Sequence, residues 1–251
     1  HAAYGGCSAM LKKVITDFGY RLNALSAEVF FSDGVFLVEG TSEVLMYNAL
    51  AKALSIDLDR LNISILSVEG IGFKPYVAIC NALNIPWVLR TDNDIFSKPT
   101  NNPIKHYYAG ISRIMGILKD VYDGTNNNLC DYWDQHQSEN EWTYRTDPPV
   151  SATTLNSHIR TEAVTYGLYV SNVDLETDLA SGPLQTILLK YYNKRTVGTL
   201  VKAMQTRKAE NMVRFLSQNH SSLSCLSGDN IVLPLIDLKG KVEERIRPAN
   251  G

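Results

Sequence analysis

The strongest constraint in this chain is a rhythm between residues 35 and 94. Val35-Phe36-Leu37-Val38 is a short run of β-forming residues. It leads into Glu39-Gly40-Thr41-Ser42-Glu43 and then the helical pattern VLMYNALAKAL. Residues 63–68 repeat the theme, with Glu69-Gly70-Ile71-Gly72 as the turn and a helical stretch over 74–83. Pro86-Trp87-Val88-Leu89-Arg90 is a third strand, ending in Thr91-Asp92-Asn93-Asp94. Strands separated by helices make βαβ units, a parallel sheet and right-handed crossovers. Thr41 or Ser42 supplies a cap for the first helix.

After residue 94 the regularity stops. Residues 95–104, rich in Asn and Pro, read as loop. Residues 104–121 read as a helix, and 123–160 are polar with ambiguous helical stretches. Gly167-Leu168-Tyr169-Val170-Ser171 reads as a fourth strand. Residues 192–217 read as basic helix, whereas 231–238 leave strand and irregular structure open. Residues 9–30 show helical spacing. The expected division is an N-terminal helical segment (1–30), the first part of an α/β core (31–100), a helical insert (101–162) and the rest of the core with its basic helix (163–251).

Composition excludes some classes. With 45% hydrophobic and 20% charged residues the chain is no disordered polymer. A formal charge of -2 excludes coating nucleic acid by charge alone. No run of 18 apolar residues and no secretion-signal pattern is present. Cys7, Cys80, Cys130 and Cys225 form no CxxC pair, so reduced thiols and a cytoplasmic setting are expected. The chain begins His1-Ala2-Ala3, and the expectation is a piece of a longer protein with a further domain upstream.

Acidic residues fall in three groups at predicted strand ends. In an open parallel sheet those ends line the ligand crevice. Glu39 and Glu43 flank one tight turn, although Glu43 alone also suits a helix N-terminus. Asp92 and Asp94, two apart, share one side of an extended segment. Carboxylates so close repel unless a cation lies between them, and oxygen donors suit Mg²⁺ or Mn²⁺. Asp174, Glu176 and Asp178 alternate with apolar residues, and the competing reading is a solvated helix start. Residues 190–214 carry Lys190, Lys194, Arg195, Lys202, Arg207, Lys208 and Arg214 against a single acid, Glu210. Such a run suits phosphate contact or a solvated helix face. His106, His136, His158 and His220 share no metal-ligand spacing. Trp133 and Trp142 are expected to pack the insert.

The Glu39-Gly40-Thr41-Ser42-Glu43 turn with Asp92-Asn93-Asp94 resembles a Toprim domain. FFSDGVFLVEGTSEVLMYNALAKAL, Leu-Asp-Arg-Leu-Asn-Ile, LNIPWVLRTDND and the Asp174-Leu175-Glu176 motif followed by a lysine-bearing helix resemble the C-terminal region of the overcoming-lysogenization-defect (OLD) nucleases. The resemblance implies a Toprim α/β fold: a parallel-rich central sheet flanked by helices, with a helical insert. It implies metal-dependent DNA cleavage in defence against phage or foreign DNA, with two Mg²⁺ or Mn²⁺ ions. The implied ligands are Glu39, Glu43, Asp92, Asp94, Asp174 and Glu176, with Glu39 as general base or second-metal ligand. Lys208 best matches the family's essential lysine, with Lys202 in reserve, while Lys190, Lys194, Arg195, Lys202 and Arg207 contact DNA phosphates. The implied partners are DNA, an N-terminal ABC-type ATPase domain and a second copy of the chain. ATP would bind only upstream, since no GxxxxGK[ST] is present. Glu69 stands in a turn where relatives commonly carry Gly-Gly-Lys. The alternatives are a primase- or topoisomerase-related Toprim activity and a non-catalytic DNA-binding or interaction module.

Overall fold

The computed structural model describes residues 27–69, 72–98, 103–122, 127–143 and 147–246. The predicted helix over 9–30 lies outside them up to residue 26. Its end is a 3-10 turn, Glu28–Phe31. In chain order the elements are β1 (Gly34–Val38), α1 (Thr41–Ala53), β2 (Ile63–Ser67), α2 (Phe73–Ala82), β3 (Trp87–Thr91), β4 (Ile95–Lys98), β5 (Lys105–Tyr108), α3 (Ala109–Val121), α4 (Asn128–His136), β6 (Glu141–Trp142), α5 (Val150–Ala163), β7 (Leu168–Val170), α6 (Leu175–Ser181), α7 (Gln185–Tyr191), α8 (Val197–Gln205), α9 (Lys208–Asn219) and α10 (Leu233–Ile246). They form two compact units. One holds the chain up to Arg90 and again from Leu175, and the other runs Thr91–Asp174.

In the first unit β1 lies between β2 and β3, parallel to both, with Phe36 opposite Ile65 and Val88. All five residues of β1 are buried, because α2 and α10 pack against it. Each Val, Leu or Phe side chain so removed from water contributes roughly 1.5–3 kcal/mol. Gly34 is required for this packing: a Cβ there would lie 2.5 Å from Val242 Cγ2 on α10. On α1, Met46, Tyr47, Leu50 and Ala51 make the buried stripe, and α9 packs on α1. Residues 231–238 resolve as the 3-10 turn Asn230–Val232 and the start of α10. Pro234 fits because the first-turn N–H groups have no intrahelical partner, and Leu235, Leu238 and Val242 form its buried stripe.

The second unit is not purely helical. Residues 95–98, expected as loop, form β4, antiparallel to β5, which pairs with β6. The predicted helix over 104–121 begins only at Ala109, after β5. These strands, of four, four and two residues, are too short for a period-2 pattern to announce them. They are held by pairing and by Glu141, whose carboxylate takes Lys98 on one oxygen and Lys105 on the other at 2.8 Å. Trp133 and Trp142 are buried, as expected, and Trp142 packs on Tyr108 at 5.4 Å. Asn140 exchanges hydrogen bonds with the Tyr108 backbone and donates to Ser112 Oγ at 2.8 Å. Among the described residues no helix is long and apolar enough to cross a membrane.

Candidate active site

In the first unit the site is built around Glu43. Gly40, and not Thr41 or Ser42 as expected, is the N-cap of α1, and Glu43 reaches back so that its Oε2 accepts the Gly40 N–H at 2.7 Å. This is half of a capping box, since glycine has no side chain to reciprocate. The other oxygen, Oε1, is buried and has no hydrogen-bond partner among the described residues. Burial pushes the Glu43 carboxyl up to about 7. The Arg90 guanidinium and the Gly40 N–H pull against that rise, and the charges of Glu39 and Glu176 add to it. Glu43 is therefore both the helix-start acid of the plainer reading and a buried carboxylate with one oxygen unmet among the described residues. Glu39, just past β1, is half-buried.

Asp174, Glu176 and Asp178 do not lie along a strand. α6 begins at Leu175, so the helix-start alternative holds, but the acids are not solvated. Asp174 and Glu176 are 3% and 1% exposed. Residues two apart on a helix face different ways. Glu176 accordingly meets Lys208 Nζ at 2.9 Å, whereas Asp178 takes the buried Arg90 guanidinium at 2.6 Å. Lys208 is the first residue of α9, where the helix dipole disfavours a cation. The pair with Glu176 offsets that cost.

The second unit carries Asp92, Asp94 and Asp174. The Asn93 N–H donates to Val173 O at 2.6 Å and the Ser171 N–H to Thr91 O at 3.0 Å, so the segments bearing Asp92 and Asp174 are bonded to each other. Asn93 is buried, Asp92 half-buried and Asp94 exposed, the alternation of an extended segment. Ser171 Oγ lies 3.4 Å from Asp92 Oδ1, and Arg113 donates to Thr91 Oγ1 and, at 3.4 Å, to Asp92 O. Asn93 accepts the Ile111 N–H and donates to Asn156 Oδ1 at 2.8 Å. Gly110 lets α3 approach: a Cβ there would stand 2.5 Å from Asp92 O.

The basic run is less uniform than its charge. Arg207 and Arg214 both pair with Glu210, and Lys208 with Glu176. Lys190, Lys194, Arg195 and Lys202 are exposed and make no ion pair among the described residues. Glu69 accepts the Thr41 hydroxyl at 2.8 Å, which ties the turn after β2 to the start of α1. Sequence reasoning missed Arg90, Arg113 and Ser171. Arg90 had one signal, a charged residue in an otherwise apolar strand next to the acidic motif. Among the described residues no three His, Cys, Asp or Glu side chains form a ready-made metal cage. What fits a hard divalent ion is the donor chemistry, carboxylates without thiol or imidazole, and the orphaned Glu43 oxygen.

Residues 30–94 match the family described as Overcoming lysogenization defect protein-like, TOPRIM domain. The chain thus carries an α/β Toprim domain homologous to those of OLD-family nuclease proteins, a class that is generally metal-dependent. It is 23% identical over 222 residues to endonuclease GajA of Bacillus cereus (strain VD045), covering 87% of this chain but only 37% of that protein. The C-terminal region of the Burkholderia pseudomallei OLD protein has the same fold, with a TM-score of 0.54 and 21% identity over 84% of this chain and 99% of that one. The corresponding region from Xanthomonas campestris pv. campestris gives 0.49 at 22% identity, over 87% and 97%.

Proposed function

We propose that this chain is the nuclease domain of an OLD-type protein and hydrolyses DNA phosphodiesters with Mg²⁺ or Mn²⁺. The observation that carries the reading is Glu43, a buried carboxylate with one oxygen unmet, flanked by Glu39 and Glu176 with Lys208 on Glu176. An acid held this way without a cation costs stability, and a bound divalent ion removes that cost. The metal ligands proposed are Glu39, Glu43 and Glu176 within the first unit and, separately, Asp92, Asp94 and Asp174 within the second. Bound divalent metal would supply an activated water and positive charge for the leaving oxygen.

The chain's own groups do the rest. Gly40 holds Glu43 by one oxygen and leaves the second for a ligand. Arg90 and Asp178 form a buried pair that fixes α6 to β3 and so orients Glu176. Lys208, 41% exposed, keeps its ammonium at the Glu176 carboxylate and remains open to solvent on its other side. It supplies positive charge where negative charge develops. Lys190, Lys194, Arg195 and Lys202 add the sequence-independent phosphate attraction. The wider role in defence against phage or foreign DNA, the upstream ATPase, a second copy of the chain and the cytoplasmic setting belong to the same proposal.

The test is nicking of supercoiled plasmid with Mn²⁺, with Mg²⁺ and with EDTA, by wild type, Glu43→Gln and Glu69→Gln. Wild type and Glu69→Gln are expected to nick only with metal, and Glu43→Gln to be inactive. Metal-dependent nicking by Glu43→Gln at the wild-type rate refutes the assignment.

A further inference from the structure

A groove of about 520 Å³ in the first unit is lined by Tyr192, Lys194, Arg207, Glu210, Asn211 and Arg214, among others. The groove is open to solvent, with the Arg207 and Arg214 side chains 76% and 65% exposed. Its lining carries three cations, one acid, an amide and an aromatic ring.

Two rigid backbone devices make the walls. α7 ends in a Schellman motif: the Lys194 N–H reaches Leu189 O at 2.9 Å and the Asn193 N–H reaches Lys190 O at 3.2 Å, with Asn193 left-handed at φ 50°. This sets Tyr192 and Lys194 two residues apart around a fixed turn. The opposite wall is the α8–α9 corner, where Arg207 is itself left-handed at φ 50° and ψ 54°. A non-glycine residue there costs of order 1–3 kcal/mol, a strain that clusters at functional positions. The Asn211 amide pins the corner by donating to Ala203 O and Thr206 O.

The Tyr192 ring is braced. It meets Tyr191 in a T-shaped contact at 5.0 Å, and Tyr191 meets the buried Phe215 at 5.3 Å. A T-shaped contact occupies at most one face of Tyr192. Glu210 holds both Arg207 and Arg214, so an incoming phosphate takes the place of the Glu210 carboxylate on one of them, at a groove that keeps a net positive charge. Arg207 lines the groove, while its neighbour Lys208 turns to Glu176.

We propose that this groove binds an unpaired nucleotide of single-stranded DNA, the base on Tyr192 and its phosphate on Lys194, Arg207 and Arg214. The occupant follows from the ring. A duplex offers phosphates to the cations, but its bases are stacked inside and cannot reach Tyr192. An unpaired strand satisfies both halves of the groove. The proposal rests on the nuclease reading only in placing the next phosphate of that strand toward Lys208.

The experiment is fluorescence anisotropy in EDTA with a labelled oligothymidylate of about twelve nucleotides and a duplex of equal length. The proteins are wild type, Tyr192→Ala, Tyr192→Phe and Glu210→Gln, each checked for folding by circular dichroism. Tyr192→Ala is expected to weaken single-strand binding about 5- to 100-fold, from the loss of one base–aromatic stack. Tyr192→Phe should bind as wild type, Glu210→Gln should bind more tightly, and duplex binding should be unchanged by either Tyr192 variant. The proposal is overturned if the chain binds no oligothymidylate, if Tyr192→Ala binds it like wild type, or if the duplex loses as much. Should Tyr192→Ala not fold, equal single-strand affinity of wild type and Glu210→Gln overturns it instead. Plasmid nicking with Mn²⁺ separates the two ideas. Nicking without a Tyr192-dependent single-strand preference sinks the groove alone, and the preference without nicking sinks the nuclease reading alone.

Discussion

Replacing Glu43 by glutamine should make the metal-free protein more stable at pH 8 relative to wild type than at pH 5. In the unfolded chain the carboxyl titrates at 4.5, and in the folded protein burial raises it to about 7. The folded state therefore keeps a proton that the unfolded state releases. The Glu43 contribution is whole below pH 4.5, declines as pH rises, and is lost above pH 7. A shift of this size corresponds to about 3 kcal/mol, most of it falling between pH 5 and 8. Glutamine does not titrate. Its amide can still accept the Gly40 N–H, but its NH₂ group would sit where Oε1 has no partner, a cost of about 1–3 kcal/mol that does not vary with pH. The informative quantity is thus the change with pH of the difference between the two proteins, not its absolute value. Urea unfolding followed by circular dichroism in EDTA at pH 5, 6.5 and 8 measures it. Saturating Mn²⁺ at pH 8 should then stabilise wild type, by about 2.7 kcal/mol at a hundredfold excess over Kd, and leave Glu43→Gln unmoved. A stability difference that stays constant from pH 5 to 8 refutes the argument that Glu43 is buried against its charge.

Lys208→Ala should lower plasmid nicking about 10²- to 10³-fold at saturating DNA while Mn²⁺ binding by calorimetry survives, because lysine donates charge but is no ligand. If instead Lys202→Ala is inactive and Lys208→Ala cleaves normally, the role belongs to Lys202. Gly110→Ala should destabilise the protein by roughly 1–3 kcal/mol in urea melts and weaken metal binding, since its Cβ would strike the Asp92 carbonyl at 2.5 Å. A wild-type melt would show that α3 does not press on that segment. Arg207→Gly should raise stability by about 1 kcal/mol through relief of the left-handed backbone, yet weaken DNA binding in a salt-dependent way. Equal stability would mean that the corner stores no strain.

Local pattern is sufficient for part of this protein. Val35 to Val38, Ile63 to Ser67 and Trp87 to Thr91 are strands because β-forming apolar runs between helical stretches admit few other arrangements, while the placing of β1 between β2 and β3 came from the tertiary structure. The same local logic places Glu39, Glu43, Asp92 and Asp94 next to strand ends. Three further things needed the tertiary structure. Residues 95–98 and 105–108 become strands by pairing with each other, and β5 also with β6 near Glu141, a partner more than thirty residues away that no periodicity within β5 announces. Alternation at Asp174, Glu176 and Asp178 fits a strand end and a helix start equally well. Burial of Leu175 and Leu179 on one face chose the helix and turned Glu176 to Lys208 and Asp178 to Arg90. Finally, a glutamate three residues into a helix reads as a capping acid from sequence, and so it is. That one of its oxygens is left buried without a partner depends on what surrounds it, which is a property of the packed chain and not of any stretch of it.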